Sequence, residues 1–148
     1  MDQISAFDCD GTLVDVSSIR HLVAKGLKDR NFDEFHRSSV DCHPIDMVVK
    51  AAQLWAEAGV PVFQVTARQE KYRSLTSFWL ADHKVPSDKL IMRTDGDQRS
   101  DADVKREMIT QLLKDYDIMI AYDDNPSIWA VWAEFDIACI RVPGWSDV

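Results

Sequence analysis

Short apolar runs along the chain alternate with longer segments in which apolar residues recur at helical spacing. The short runs are candidate strands and comprise residues 4–7, 62–65, 90–92, 118–122 and 137–141. Short apolar runs are typical of buried strands, and periodic segments between them are typical of helices that connect parallel strands. The alternation therefore predicts the α/β class, with five strands in a parallel sheet and helices on both faces.

Four of the periodic segments are candidate helices. They comprise residues 44–59, 71–83, 103–114 and 126–134. The first begins with a proline and ends with a glycine, which are typical residues for the two ends of a helix. In the second, helical spacing directs Tyr72, Leu75, Phe78 and Trp79 toward the core.

Residues 15–43 fit the alternation less well and form the insertion segment between the first strand and its crossover helix. The pattern there allows one short helix near 19–27 and another near 32–37. Insertions at this point of an α/β sheet often lie over the carboxyl ends of the strands, where ligands bind. We expect a small lid here, carried by a single domain that spans residues 1–148.

Acidic residues follow two of the predicted strands directly. Asp8 and Asp10, in the sequence Asp-Cys-Asp-Gly-Thr, follow the first strand, and Asp123 and Asp124 follow the fourth. A polar turn would explain the first pair, and capping of the next helix would explain the second. If the two strands are neighbours, however, three or four oxygen donors converge on one place, where the acids repel one another unless a cation is bound. A site for Mg²⁺, which binds carboxylates and phosphate oxygens, explains both pairs.

Candidate phosphate ligands occur at the ends of other elements. Thr66 and Arg68 close the second strand, and a hydroxyl and a guanidinium both suit phosphate oxygens. Lys105 lies near the start of the third helix, where the helix dipole disfavours a cation. An anion such as a transferring phosphoryl group would explain a lysine at that position.

Composition narrows the class of protein. The 148 residues are 46% hydrophobic, enough for a core without disulfides, and carry a formal net charge of −8. This acidity disfavours a broad nucleic-acid-coating surface. Residues 61–110 hold nine basic and eight acidic side chains, however, so the charge permits binding of one phosphorylated end.

Targeting signals and disulfide patterns are missing from the sequence. It contains no apolar run of membrane-spanning length and no signal-peptide pattern at Met1-Asp2-Gln3. Its three cysteines form no Cys-x-x-Cys pair, which suits a reducing compartment. We therefore expect a cytoplasmic protein without membrane contact, in the host cytoplasm if its origin is a phage.

The order of these motifs resembles that of the haloacid dehalogenase-like phosphatases. Asp8-x-Asp10-Gly-Thr, Thr66, Lys105 and Asp123-Asp124 follow one another at the corresponding strand and helix ends. The stretches 66–68, 72–80 and 96–105 are most similar to the 3′-phosphatase domain of phage-type polynucleotide kinase-phosphatase. The resemblance implies a Rossmann-like three-layer fold with strand order 3-2-1-4-5. No Gly-x-x-x-x-Gly-Lys-Ser/Thr sequence occurs, so no kinase half is expected within these residues.

The resemblance also implies roles for individual residues. Asp8 would be the nucleophile, and Asp10 the general acid and base. Mg²⁺ would be bound by Asp8, the carbonyl of Asp10, Asp123 and Asp124. Thr66 and Lys105 would bind the phosphoryl oxygens. The expected substrate contacts are Thr12, Arg68, Arg20 and Arg73, with Asp101 positioning Lys105 or Arg68.

Three functions remain open from the sequence. The first is removal of 3′-phosphates from nucleic-acid ends, with a separate kinase or ligase as a candidate partner. The second is hydrolysis of a small metabolite or a nucleotide monophosphate. The third is a non-catalytic, metal-dependent binding module on the same fold, which the presence of both Asp8 and Asp10 disfavours.

Overall fold

A five-stranded parallel sheet forms the centre of the computed structural model, which describes residues 1–24 and 26–144. The strands are β1 (Asp2–Phe7), β2 (Val62–Gln69), β3 (Lys89–Arg93), β4 (Tyr116–Asp123) and β5 (Cys139–Arg141). Their order is β3-β2-β1-β4-β5, and all neighbours pair in parallel. The predicted class, strand order and Rossmann-like arrangement are confirmed.

Helices cover both faces of the sheet. They are α1 (Phe32–Ser38), α2 (Asp46–Glu57), α3 (Arg73–Asp82), α4 (Asp101–Leu112) and α5 (Pro126–Glu134). Buried residues of α2 and α3 form one apolar cluster with one face of the sheet, and those of α4 and α5 form a second cluster with the other face. The central strand β1 contributes to both clusters, through Phe7 to the first and through Ile4 and Ala6 to the second.

Helices α4 and α5 both begin at the carboxyl edge, the edge of the sheet at which the strands end, and a side chain caps each of them. The Ser100 side chain accepts a hydrogen bond from the Asp103 N–H and caps α4. Asn125 caps α5 in the same way, and Pro126 occupies the first turn. Because Asn125 caps α5, this helix does not require Asp123 or Asp124 as its N-cap.

Several predicted element bounds are wrong. The expected helix near 19–27 is only a 3-10 turn, Arg20–Leu22, because the backbone is left-handed at Gly26 (φ +89°). The helix predicted from 44 begins at Asp46, since Pro44 instead bridges to Val14. The last strand begins at Cys139 rather than at 137, after a left-handed turn at Asp136.

The predicted inward positions are correct for Trp79 of α3 and for Tyr72, which directly precedes this helix, but wrong for Phe78. The Phe78 side chain is 63% exposed, whereas Leu80 on the same helix is 2% exposed. The buried residues of α3 are Thr76, Trp79 and Leu80, so its buried stripe is rotated away from Phe78 relative to the prediction.

The insertion segment is anchored to the main body at both ends. The Asp15 N–H donates to the His43 carbonyl at 2.9 Å, so the segment leaves and returns at one point. Phe35 of α1 is buried in the apolar cluster on the α2 and α3 face. Within residues 1–24 and 26–144, no helix is long and apolar enough to cross a membrane.

The turn after β1 packs tightly against the residues after β4. Gly11 has a left-handed backbone (φ +80°), and a Cβ added to it would lie 2.0 Å from the Asp124 Oδ2. Gly59 has almost the same φ, +82°, with nothing within 4 Å of such a Cβ. Substitution of Gly59 therefore measures the cost of a left-handed backbone alone, whereas substitution of Gly11 adds the cost of the close approach to Asp124.

We expect Leu80→Ala to lower the free energy of unfolding by about 2–5 kcal/mol, because it opens a cavity in a packed core. Phe78→Ala should change it by no more than about 0.5 kcal/mol, because the ring is already mostly in water. Urea unfolding of both variants measures the difference. A loss for Phe78→Ala comparable to that for Leu80→Ala would place Phe78 in the core.

We expect Gly59→Ala to cost about 1–2 kcal/mol of unfolding free energy through backbone strain alone. Gly11→Ala should cost at least about 1 kcal/mol more, because its methyl group displaces the Asp124 carboxylate. Denaturant midpoints of the two variants provide the comparison. Equal losses would show that the turn after β1 does not press on Asp124.

Candidate active site

Three buried carboxylates meet at the carboxyl edge. Asp8 directly follows β1, Asp123 ends β4 and Asp124 follows it. The Asp8 N–H donates to the Tyr122 carbonyl at 3.0 Å, which extends the pairing of the two central strands. One oxygen from each carboxylate lies within 4.8 Å of the others. The two acidic strand ends therefore converge as the sequence predicted.

Lys105 joins two of these carboxylates. Its ammonium group donates to Asp8 Oδ1 at 2.8 Å and to Asp123 Oδ2 at 2.9 Å, and its side chain is only 3% exposed. Burial by itself would lower the pKa of Lys105, but the charges of Asp123 and Asp8 overcome it and hold the pKa above its usual value. The lysine is therefore a fixed positive charge beside Asp8.

The carboxylates remain crowded in spite of this lysine. Burial raises the pKa of Asp8 to about 6, with Lys105 opposing the shift. Burial and the nearby charge of Asp8 raise the pKa of Asp124 to about 9. Both shifts mean that burial and the repulsion between the acids outweigh the positive charge of Lys105.

The oxygen atoms at this cluster fit a hard divalent cation. Asp124 Oδ2 is buried, and no hydrogen-bond donor reaches it among the described residues. The Thr12 hydroxyl lies 3.2 Å from both Asp8 Oδ2 and Asp124 Oδ1, and so holds these two carboxylates together. A cation bound to Asp8, Asp123 and Asp124 would satisfy the unpaired oxygen and relieve the repulsion.

The Asp10 side chain faces away from this cluster and contacts Arg68. The Arg68 guanidinium donates from Nε to Asp10 Oδ2 at 3.0 Å and from Nη2 to Asp10 Oδ1 at 2.6 Å. Burial alone would raise the pKa of Asp10, but Arg68 overcomes it and holds the pKa below its usual value. The Asp10 side chain is thus occupied by Arg68, and a contact between the Asp10 carbonyl and a cation stays a prediction.

The Arg68 guanidinium donates hydrogen bonds to three side chains of the protein. Besides Asp10, it donates to the hydroxyls of Thr76 at 3.0 Å and Ser39 at 3.1 Å, and the residue is 2% exposed. The Thr66 hydroxyl accepts from the Arg68 N–H at 3.2 Å. The sequence predicted Arg68 as a substrate contact; in the structure its guanidinium instead binds and orients Asp10.

The predicted role of Asp101 is wrong. Its carboxylate contacts Arg93 at 2.5 Å, rather than Lys105 or Arg68. Arg93 is the last residue of β3. It also donates hydrogen bonds to the carbonyls of Ala67 and Arg99, and so connects the loop before α4 with the end of β2. The Lys105 ammonium is held by Asp8 and Asp123 instead, and Asp101 pairs with Arg93.

Two other predicted substrate contacts have partners within the protein. The Arg73 guanidinium pairs with Glu70 at 2.8 Å and donates to the Leu90 carbonyl. The Arg20 guanidinium donates to the carbonyl of Gly144. Their roles toward substrate stay predictions. Of the predicted catalytic residues, Lys105 contacts Asp8 directly, and Asp10 and Thr66 both contact Arg68.

Sequence reasoning missed three residues that support the site. Ser39 and Thr76 hold Arg68, and Arg93 holds the start of α4. Residues of these kinds are common on protein surfaces. Ser39 is a hydroxyl residue in an insertion, Thr76 is one inside a helix, and Arg93 is a cation at the end of a strand. Only their burial in the folded chain distinguishes them.

Comparisons with known proteins agree with this geometry. A model of the family described as polynucleotide kinase PNKP phosphatase domain matches residues 2–144. No curated protein matches the chain.

Solved structures share the fold. A chain of the Pnkp1/Rnl/Hen1 RNA repair complex has a TM-score of 0.77 at 22% identity, over 96% of this chain and 42% of that chain. A class C acid phosphatase from Bacillus anthracis has a TM-score of 0.71 at 16% identity, over 97% of this chain and 67% of that one. A haloacid dehalogenase-like hydrolase from Streptococcus pneumoniae has a TM-score of 0.53 at 17% identity, over 95% of this chain and 84% of that chain.

This chain thus spans less than half the length of the RNA repair protein that it resembles. The family match, in contrast, covers nearly all of it, from the first strand to the loop after the last. The chain therefore belongs to the family of polynucleotide kinase PNKP phosphatase domains, which are phosphatases of the haloacid dehalogenase-like type.

Proposed function

We propose that this phosphatase is a Mg²⁺-dependent phosphomonoester hydrolase that removes 3′-phosphates from nucleic-acid ends through an aspartyl-phosphate. The observation that carries the proposal is the position of Asp8, buried at the carboxyl edge and hydrogen-bonded by Lys105 at 2.8 Å. A carboxylate held in this way is oriented for attack on phosphorus. The cation would be held by Asp8, Asp123 and Asp124, with the carbonyl of Asp10, and would offset the repulsion between phosphate and carboxylate.

The first chemical step transfers the phosphoryl group to Asp8. A bond forms between an Asp8 oxygen and phosphorus, the bond from phosphorus to the leaving oxygen breaks, and Asp10 protonates that oxygen. In the second step Asp10 takes a proton from water, which attacks phosphorus and frees Asp8. Arg68 favours the ionised form of Asp10 that the second step uses. The negative charge of an entering phosphoester favours the protonated form that the first step uses.

Lys105 and Thr66 supply the remaining contacts to the phosphoryl group. Lys105 is already fixed beside Asp8 and therefore places its positive charge where the transferring phosphoryl oxygens lie. The Thr66 hydroxyl lies at the same edge, next to the Arg68 N–H. Both groups are positioned before substrate binds, so little reorganisation is required.

Family membership supports a nucleic-acid end as the substrate. The fold of a protein from an RNA repair complex is consistent with this, and a separate kinase or ligase is the partner that we propose. Small phosphate esters or nucleotide monophosphates are the alternative substrates. We further propose that the single domain acts in the cytoplasm, and that its insertion segment acts as the lid, because Ser39 of that segment contacts Arg68.

A phosphate-release panel tests the substrate. It compares 3′-phosphorylated oligonucleotides, 5′-phosphorylated oligonucleotides, free mononucleotides and sugar phosphates, each with Mg²⁺ and after chelation by EDTA. We expect Mg²⁺-dependent release with the highest kcat/KM for the 3′-phosphorylated oligonucleotides. A higher kcat/KM for mononucleotides or sugar phosphates would contradict the proposed substrate, and full activity after chelation would contradict the metal site.

We expect Asp8→Asn to reduce kcat by about 10⁴-fold or more, because an amide cannot act as the nucleophile. The free energy of unfolding should change by only about 1 kcal/mol, since the amide still accepts a hydrogen bond from Lys105. Phosphate release and thermal unfolding measure the two effects. Asp115→Asn, at an exposed aspartate before β4, is the matched control and should be fully active. Substantial turnover by Asp8→Asn would remove Asp8 from the role of nucleophile.

A further inference from the structure

Two side chains beside the carboxylate cluster have no part in the proposed mechanism. Trp129, in the first turns of α5, donates from Nε1 to the main-chain carbonyl of Asp123 at 2.7 Å. Arg141, the last residue of β5, places its guanidinium 5.1 Å from the centre of the Trp129 ring. Trp129 is half-buried and Arg141 is exposed. Together they form a cation–π pair at the carboxyl edge, with the planar guanidinium of Arg141 over the indole ring of Trp129.

The chain geometry places this pair next to the reacting groups. Arg141 is in register with Asp123 on the neighbouring strand, and the next N–H, of Val142, donates to the Asp123 carbonyl at 2.9 Å. The chain then reaches Gly144, which packs so closely on Gly11 that a Cβ added to Gly144 would lie 1.7 Å from the Gly11 carbonyl oxygen. Three residues span at most about 10 Å, so Arg141 lies close to the turn that carries Asp10.

Arg141 differs from most arginines of the described residues in its lack of an ion pair with a carboxylate. Six other arginines form ion pairs with a carboxylate, namely Arg37, Arg68, Arg73, Arg93, Arg99 and Arg106. Arg141 has no such partner in the part of the chain that the structure describes. In a chain with a surplus of eight acidic charges, an arginine left without a carboxylate beside a phosphate site is available for an anion of the substrate.

We propose that Arg141 and Trp129 form a binding subsite for the nucleotide that precedes the phosphorylated 3′ end, which rests on the proposed function. The guanidinium binds the phosphodiester that links this nucleotide to the terminal one. The exposed part of the indole stacks on its base or sugar. The pair thereby selects a nucleic-acid strand over an isolated phosphate ester, because only the strand carries a second phosphate.

Binding of a fluorescently labelled, single-stranded 3′-phosphorylated oligonucleotide tests the subsite by anisotropy. The protein carries Asp8→Asn so that no substrate is consumed, with or without Arg141→Ala. We expect Arg141→Ala to raise the Kd about tenfold and to reduce the slope of log Kd against log salt concentration by about 0.7, the value for one lost phosphate contact to a single strand. Arg141→Lys keeps the charge but loses the planar fork, so its Kd should be intermediate.

Lys114→Ala is the control for the change in net charge. Lys114 is exposed and precedes β4, so it lies at the opposite edge of the sheet, and its loss should leave the Kd and the salt slope unchanged. With Asp8 intact, Arg141→Ala should raise the KM of the oligonucleotide about tenfold. The KM of a nucleoside 3′-monophosphate, which lacks the second phosphate, should change less than twofold.

The outcomes separate the subsite from the function on which it rests. A Kd and salt slope of Arg141→Ala equal to those of Lys114→Ala would overturn the subsite, as would an equal rise in KM for the nucleoside 3′-monophosphate. Failure of the oligonucleotide to bind at all would also overturn it. A wild-type protein that binds the oligonucleotide through Arg141 without releasing phosphate would instead overturn the proposed function and retain the subsite.

Discussion

The ammonium group of Lys105, shared between Asp8 and Asp123, is the interaction on which the site depends. It joins the ends of the two central strands to α4, and so fixes three elements at one point of the carboxyl edge. Its positive charge offsets the repulsion between the two buried carboxylates. In the proposed mechanism, the same positive charge stabilises the negative charge of the transferring phosphoryl group. The stability of this edge and the proposed chemistry at Asp8 therefore depend on the same ammonium group.

A second buried cation organises the other half of the site. Arg68 binds both oxygens of Asp10, and Ser39 and Thr76 hold Arg68 in turn. The two carboxylates after β1 thus face different cations, although only one residue separates them along the chain. This separation suits different tasks, since Asp8 is proposed to attack phosphorus and Asp10 to move protons.

The sheet, its strand order and the meeting of the acidic strand ends could be predicted because each depends on a local pattern. Apolar runs identify parallel strands, and strand ends of a parallel sheet share one edge. The partners of Asp101 and Arg68 could not be predicted in this way. Each arginine or aspartate can pair with several opposite charges, and only packing decides which one it meets. Phe78 illustrates the same limit, because helical spacing does not fix which way the buried stripe of α3 is rotated.

Acid quenching of the enzyme during turnover, followed by peptide mapping, tests the central claim most directly. A phosphoryl group attached to Asp8 is the predicted result, because the first step leaves it on that carboxylate and low pH slows its hydrolysis. The peptide that contains Asp8 should be phosphorylated only when a substrate and Mg²⁺ are both present. A phosphoryl group on another residue, or turnover during which no residue of the chain becomes phosphorylated, would contradict the account.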